Sequence, residues 1–262
     1  MKAMILAAGL GTRLHPLTDS RPKALVEVAG RTLLEITLTR LRTFGVTEVI
    51  VNVHHFAGMV VDYLKSHDNF GMRIEISRED DLLLDTGGGL KKAAWFFLED
   101  PDRFDEPFIL HNVDVVSNID LRRMLQFHNE HRALATLAVQ SRDSSRLLLF
   151  NDQLQLCGRR IGSGGGEWRV TSGEFEERAD SSLLPLAFSG IHIISPRLLP
   201  LLTETGVFSI IDAYLRLASR GEKILAFRAD EYYWRDLGRS SDLSQAALDL
   251  ERGLLAEGRH SL

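Results

Sequence analysis

The chain has 262 residues, 44% of them hydrophobic and 26% charged, and 31 Lys+Arg against 36 Asp+Glu give a net charge of −5. This length suits one large domain or two small ones, and the balance excludes a disordered chain, a collagen-like chain and a disulfide scaffold. A mildly acidic whole is a poor nucleic-acid binder by bulk electrostatics, and the single cysteine, Cys157, excludes an internal disulfide or a cysteine-based zinc site.

Met1–Ala8 is a short apolar run that reads as a strand buried on both faces. Gly9 and Gly11 interrupt it too early for a signal peptide or a membrane span, so a cytoplasmic protein without a membrane partner is expected. Thr32–Phe44 places Leu33, Leu34, Ile36, Leu38 and Leu41 on a helical stripe, with Gly45 at its C-terminal end. Glu48–Val53 is a second strand, Phe56–Lys65 a helix and Met72–Ser77 a third strand. Leu90–Leu98 reads as a helix, with Trp95-Phe96-Phe97 as core, and Pro107–His111 as a fourth strand. Leu121–His131 is helical with Asp120 as its N-cap, and Ala133–Gln140 is a strand.

Strands alternating with helices at this spacing predict an α/β fold with a mainly parallel sheet. Ligands of such sheets bind at the carboxyl ends of the strands, here the loops after Ala8, Ser77 and His111. From about Arg142 the texture changes. Arg146–Phe150 and Gln153–Leu156 flank Asn151-Asp152, a hairpin turn. Gly162–Gly166 is glycine-rich and polar, and Glu174–Ser182 has no core pattern. Leu186–Ile194 and Lys223–Arg228 read as strands, and Leu198–Leu202, Ser209–Ser219 and Asp242–Arg252 as helices. One domain spanning 1–262 is expected, with the second half continuing the sheet of the first.

Glycines after a first strand let the backbone turn sharply and approach an anion. Gly9 and Gly11 fit that use, although such a pair also occurs in plain turns. Leu14 stands where a dinucleotide fingerprint needs its third glycine, and no Lys-Ser or Lys-Thr pair makes a P-loop. Arg13 and the Arg21-Pro22-Lys23 run supply cations beside the turn, suited to a polyphosphate unless they are simply solvated.

Ala7–Thr18, with Pro22-Lys23-Ala24-Leu25 and Val28, resembles the signature of the sugar-1-phosphate nucleotidyltransferases. The resemblance implies a Rossmann-like, three-layer α/β fold with a mixed central sheet. Residues 1–141 would form the nucleotide-binding core, and 142–262 the sugar-binding part and a C-terminal helix. It implies that Ala7, Ala8, Gly9, Gly11 and Thr12 hold an NTP, with Arg13 on the phosphates and Lys23 near the reacting phosphoryl group. It also implies Mg²⁺. Asp114 matches a strand-end metal aspartate, with Val113 in place of the usual glycine or serine. Asp236 matches a second within Trp234-Arg-Asp-Leu-Gly238, where Arg239-Ser240 replace Thr-Pro. Each aspartate taken alone also suits a cap or a turn.

Asp85-Thr86-Gly87-Gly88-Gly89 is similar to the family's base- and sugar-contacting element, or is a turn capped into a helix. Its form is most like that of uridylyltransferases acting on N-acetylmuramate α-1-phosphate. Phe188-Ser189-Gly190-Ile191 resembles the family's sugar-side strand, so Ser189, Gly190 and Asn112 are expected at the sugar, with Glu177 as a further candidate. The expected reaction joins UTP to N-acetylmuramate 1-phosphate with release of pyrophosphate, by a monomer or small homo-oligomer. Guanylyl transfer to mannose 1-phosphate, and uridylyl or thymidylyl transfer to glucose 1-phosphate, stand beside it. So do a choline-phosphate-type cytidylyltransferase and a non-catalytic nucleotide sensor. His54 and His55 point to opposite faces of a strand and read as surface or capping residues, and Cys157 as inert.

Overall fold

The structure is a computed structural model that describes residues 1–162, 168–170 and 183–254. Its strands are β1 (Lys2–Leu6), β2 (Glu27–Val28), β3 (Arg31–Thr32), β4 (Glu48–Val53), β5 (Arg73–Arg78), β6 (Phe108–Asn112) and β7 (Val115–Ser117). They continue with β8 (Ala135–Gln140), β9 (Arg146–Phe150), β10 (Leu156–Ile161), β11 (Trp168–Val170), β12 (Leu184–Ile194), β13 (Ile224–Arg228) and β14 (Trp234–Asp236). The helices are α1 (Leu33–Thr43), α2 (Ala57–Ser66), α3 (Asp85–Lys92), α4 (Ala94–Leu98), α5 (Leu121–His131), α6 (Ile210–Ala218) and α7 (Ser240–Glu251).

β1 lies in parallel between β4 and β6, and β5 extends the parallel part beyond β4. β12 runs antiparallel to β6 and turns the sheet mixed, with β9, β10 and β11 following on antiparallel. β8 pairs with β12 and carries β13 in parallel. The central sheet is thus the mixed one expected. Its parallel part is concentrated in the first half, where strands and helices alternate in sequence. Alternation along β1 sends Ala3 and Ile5 into one core cluster and Met4 into the other, so both faces of the sheet are covered.

Local chemistry accounts for the element ends. Thr32 Oγ1 accepts the Glu35 N–H at 3.1 Å and starts α1. Asp120 accepts the N–H groups of Arg122 and Arg123 at 2.9 and 3.1 Å and starts α5, as its sequence position predicts. Asn151 Oδ1 accepts from the N–H groups of Gln153 and Gln155 at 3.0 and 2.9 Å, which shapes the turn from β9 into β10.

The helix expected over Leu90–Leu98 begins earlier, at Asp85, and breaks at Ala93 into α3 and α4. Consecutive glycines argue for a loop by propensity, since each is about 1 kcal/mol worse than alanine in a helix. Close packing overrides that preference. A Cβ on Gly87 would lie 2.3 Å from the Phe208 ring, and one on Gly88 would lie 2.6 Å from the Gly206 carbonyl oxygen. Only a bare helix face can dock there. Trp95 also departs from the core expected of it: Phe96 and Phe97 are buried, but Trp95 is 49% exposed on the other side of its short helix.

Among the described residues, three histidines are buried as neutral rings. Burial holds His111 and His128 at about 4 and His192 at about 3, with Arg40, Arg197 and His111 respectively adding to the depression. The unfolded chain takes up these protons near pH 6.5, so their stabilising effect is complete above that pH. It is lost as pH falls from 6.5 toward 4. Urea midpoints should fall across that window, and His128→Gln should flatten the fall by on the order of 3 kcal/mol at its acid end.

Candidate active site

The carboxyl ends of β1, β4 and β5 are tied by one buried network. The Ala7 N–H donates to Asn52 Oδ1 at 2.7 Å, and the Asn52 amide donates to Glu79 Oε1 at 2.7 Å. The other carboxylate oxygen of Glu79 accepts the Leu84 N–H at 2.8 Å, just before α3. The glycine loop therefore leaves a fixed floor. Gly11 has φ +67°, and its carbonyl accepts from the Leu14 N–H at 2.8 Å and Thr18 Oγ1 at 3.0 Å. A Cβ on Gly11 would lie 2.8 Å from Thr18 Cγ2, so glycine is required on both counts. The loop closes over Lys23, which is buried and donates to Asp114 Oδ2.

Asp114 sits in the turn after β6, where the Val113 N–H donates to the Leu6 carbonyl at 3.1 Å. The next strand, β7, pairs antiparallel with β14 and sets Val115 opposite Asp236. The Leu237 N–H donates to the Asp114 carbonyl at 2.8 Å, which locks the two aspartate-bearing segments together. Asp236 Oδ1 is buried and has no hydrogen-bond partner. Burial first, and then the charge of Asp114, push the Asp236 carboxyl above its usual range, while Lys23 and Arg13 pull the other way. Gly238 gives the Arg13 guanidinium its place, since a Cβ there would lie 2.7 Å from Arg13 Nη2 and 2.9 Å from Asp236 Oδ1.

A buried, unpartnered carboxylate oxygen beside a second carboxylate suits a hard divalent cation. Among the described residues no group of three or more His, Cys, Asp or Glu side chains could hold a metal ion. A cation on Asp114 and Asp236 would therefore take its remaining ligands from water or from a bound phosphate, which is how Mg²⁺ is commonly held.

An open cleft of about 970 Å³ along Arg13, Arg142, Asp236 and Arg239 borders this pair, and two smaller cavities meet at it. One of about 240 Å³ is walled by Gly9, Gly11, Thr12, Arg13, Lys23 and Asp114. The other, about 530 Å³, runs from Asp236, Asn112 and Gly190 to Thr86 and the α6 start. Its near wall is made by an irregularity in β12, where pairing with β8 shifts register between Phe188 and His192. Gly190 sits in that stretch with φ +74°, and a Cβ there would lie 2.8 Å from Val115 Cγ2. Nearby carbonyls are used in turn: Phe188 O accepts from Arg142 Nη2 and Ser189 O from Trp234 Nε1, both at 2.7 Å. The Arg142 guanidinium lies 3.7 Å from the centre of the Trp234 ring.

The residues named from the sequence thus fall into three groups. Gly9, Gly11, Thr12, Arg13, Lys23 and Asp114 line the smaller cavity. Asp85, Thr86, Asn112, Gly190 and Asp236 line the larger. Ala7, Ala8, Gly87, Gly88 and Ser189 are buried and line neither cavity. Glu177, with the acidic stretch around it, lies outside the described residues. The sequence reading missed Asn52, Glu79 and Arg142. Asn52 was visible as a polar residue inside an apolar strand, and Arg142 as a cation two residues past a strand's carboxyl end. Glu79 carried no signal beyond its place after β5. His54 has a capping contact, its Nδ1 facing the Glu79 carbonyl at 2.5 Å, and Cys157 is buried with its thiol pushed up by burial.

Comparison with known proteins places this geometry. A family model described as nucleotidyl transferase matches residues 2–147. The chain is 34% identical over 242 residues to the N-acetylmuramate alpha-1-phosphate uridylyltransferase of Caulobacter vibrioides, covering 90% of this chain and 91% of that protein. It is 29% identical to the protein of the same name from Neisseria meningitidis, covering 94% of this chain and 96% of that one. Among solved structures, an apo UDP-glucose pyrophosphorylase superposes with a TM-score of 0.75 at 17% identity, covering 96% of this chain and 98% of that one, a likeness of fold. With more than half of the chain matched by the family model and a relative of this similarity along nearly its whole length, the chain belongs to the nucleotidyl transferase family.

Proposed function

We propose that this enzyme transfers a nucleotidyl group from an NTP to a sugar 1-phosphate and releases pyrophosphate, with UTP and N-acetylmuramate α-1-phosphate as its substrates. The observation that carries the reading is the Lys23–Asp114–Asp236 cluster at the junction of two cavities, one cationic and glycine-walled. The names of the two uridylyltransferases similar over nearly the whole chain support the choice of base and sugar.

The attacking atom is a sugar phosphate oxygen, which is already an anion at neutral pH. A protein base is therefore unnecessary, and the buried histidines nearby, His111 and His192, are neutral. The task left to the protein is to align two polyanions and to neutralise charge. The Gly9–Gly11 turn gives the triphosphate close access to backbone N–H groups. Arg13 reaches the phosphates from the rim of the smaller cavity, and Lys23 stands at Asp114 beside the reacting phosphorus. Asp114 and Asp236 are the residues that would hold Mg²⁺, which when bound supplies charge neutralisation at the phosphates. Asp85, Thr86 and the end of the glycine loop border the base, with Gly87 and Gly88 supporting them from behind. Asn112 and the backbone at Gly190 meet the sugar. The work takes place within one domain, 1–262, as a monomer or small homo-oligomer in the cytoplasm, and involves neither nucleic acid nor membrane. No helix among the described residues is long and apolar enough to cross a membrane.

Each NTP assayed against a panel of sugar 1-phosphates and choline phosphate, with pyrophosphate release as readout, should give the highest kcat/KM for UTP with N-acetylmuramate 1-phosphate. Turnover confined to choline phosphate and CTP would reject the sugar reading.

Asp236→Asn separates metal binding from stability. The carboxyl titrates above its unfolded value, so ionising it as pH rises opposes folding in the metal-free protein. The variant should melt at a higher temperature than the parent at pH 7 without metal. It should lose the Mg²⁺-dependent rise in melting temperature and ~100-fold or more in turnover.

A further inference from the structure

Glu79, on the loop after β5, is only 1% exposed and makes no ion pair among the described residues. A buried charge without a cation is costly unless hydrogen bonds satisfy it. Here each carboxylate oxygen meets one N–H donor. Oε1 accepts from Asn52 Nδ2 at 2.7 Å, and Oε2 from the Leu84 N–H at 2.8 Å. The main chain is pinned as well, the Glu79 N–H donating to the Val53 carbonyl at 2.8 Å. Gly89 of α3 packs on the Asn52–Glu79 bond, and a Cβ there would lie 2.8 Å from both Asn52 Nδ2 and Glu79 Oε1.

The direction of donation explains why a charge is kept in this place. The Ala7 N–H can only donate, so Asn52 turns Oδ1 to it and its amide nitrogen to residue 79. The Leu84 N–H, on the other side, can only donate too. Residue 79 is caught between two donors and has to accept on both side-chain oxygens, which glutamate does. Glutamine offers one oxygen and one NH₂ group. It would set donor against donor at Leu84, or at Asn52, which on turning over would pass the conflict to Ala7.

The ends of this chain of bonds lie on the two parts of the nucleotide site. Ala7 leads into the glycine loop, whose Gly9 and Gly11 wall the smaller cavity. Leu84 precedes Asp85 and Thr86, which line the larger, and its carbonyl accepts the Phe208 N–H at 3.3 Å. We infer that Asn52 and Glu79 are positioning residues that set the distance between the triphosphate loop and the base-bordering start of α3, and so fix the span over which an NTP is held. Both side chains are buried, line neither cavity and act through the backbone at Ala7 and Leu84. The inference rests on the proposed nucleotidyl transfer and on the places given there to triphosphate and base.

Reversing one bond tests it. Asn52→Asp sets two carboxylates face to face with no donor between them, and Glu79→Gln sets donor against donor. Combined, the carboxylate at position 52 accepts from the Ala7 N–H and from the amide at position 79, whose oxygen accepts the Leu84 N–H, so every bond is remade. Each single variant should raise the KM and the Kd of UTP by ~10-fold or more, the range of a lost charged hydrogen bond, with the KM of the sugar 1-phosphate held within about twofold. Loss of packing alone would not single out UTP. The double variant should recover most of the UTP affinity. Equal rises in KM for both substrates, unchanged UTP affinity in both single variants, or a double variant no better than the worse single one overturns the positioning role. Should the single variants not fold, the double variant decides: folding with UTP affinity near the parent's supports the role, and failure of either overturns it. The Kd of UTP is measured with Mg²⁺ and no sugar substrate, so a parent enzyme that binds UTP without turnover rejects the nucleotidyl-transfer reading and leaves this test intact. A parent enzyme that binds no NTP overturns both.

Discussion

The site depends on a pairing that electrostatics alone would not choose. β7 and β14 are far apart in the chain, yet their antiparallel register draws the Asp114 and Asp236 segments together. Two carboxylates in a partly buried place repel each other and resist ionisation, and Asp236 shows both effects. The fold keeps the arrangement because cations surround it: Lys23 from beneath the glycine loop and Arg13 across Gly238. The backbone bond from Leu237 to Asp114 supplies the geometry, and the charges of the loop make it tolerable.

That arrangement gives the negative net charge its meaning. An acidic protein that handles polyanions must gather its positive charge at one place, and here the gathering follows the carboxyl edge of the sheet. The glycine loop holds Arg13 and Lys23 at β1. The irregularity in β12 holds Arg142 by a backbone carbonyl, with the Trp234 ring as its platform. The hairpin β9–β10 brings the rest. Arg142 is anchored by a backbone carbonyl and a ring, and Lys23 and Arg159 by carboxylates, so little ordering of these three is left for the moment of binding.

Much of the fold was legible because its first half obeys simple periodicities. The β4 strand and the α5 helix fall where the apolar pattern puts them, and Thr32 and Asp120 cap as their residue types predict. The glycine loop stands out as a long local motif, and Asp114 and Asp236 are named from two further short elements by resemblance. What stayed hidden depends on contacts between distant segments. No propensity marks Asp85–Gly89 as helical, since the glycines are helical only against Gly206 and Phe208. Nothing local shows that Trp95 faces outward while its two neighbours turn in. Asn52 stands out as a polar residue inside an apolar strand but Glu79 does not, and only the sheet reveals that they share a hydrogen bond. The antiparallel run of the second half followed from hairpin closure rather than from any alternation of strand and helix.

The bare face of α3 has a consequence for how such a protein can change over time. Gly87 and Gly88 leave no room for even a methyl group, and Thr86 Oγ1 accepts the Ile210 N–H at 3.0 Å, so α3 and α6 form a wall in which each position is fixed by another. The opposite wall is a hairpin whose arginines project from a two-residue-period ribbon, with Arg159 tied to α6 through Asp212. Substitutions can accumulate on the hairpin without disturbing the aspartate pair or the glycine loop. New sugar preferences would therefore arise by exchange of side chains on β9 and β10, while α3 and the chemistry behind it stay as they are.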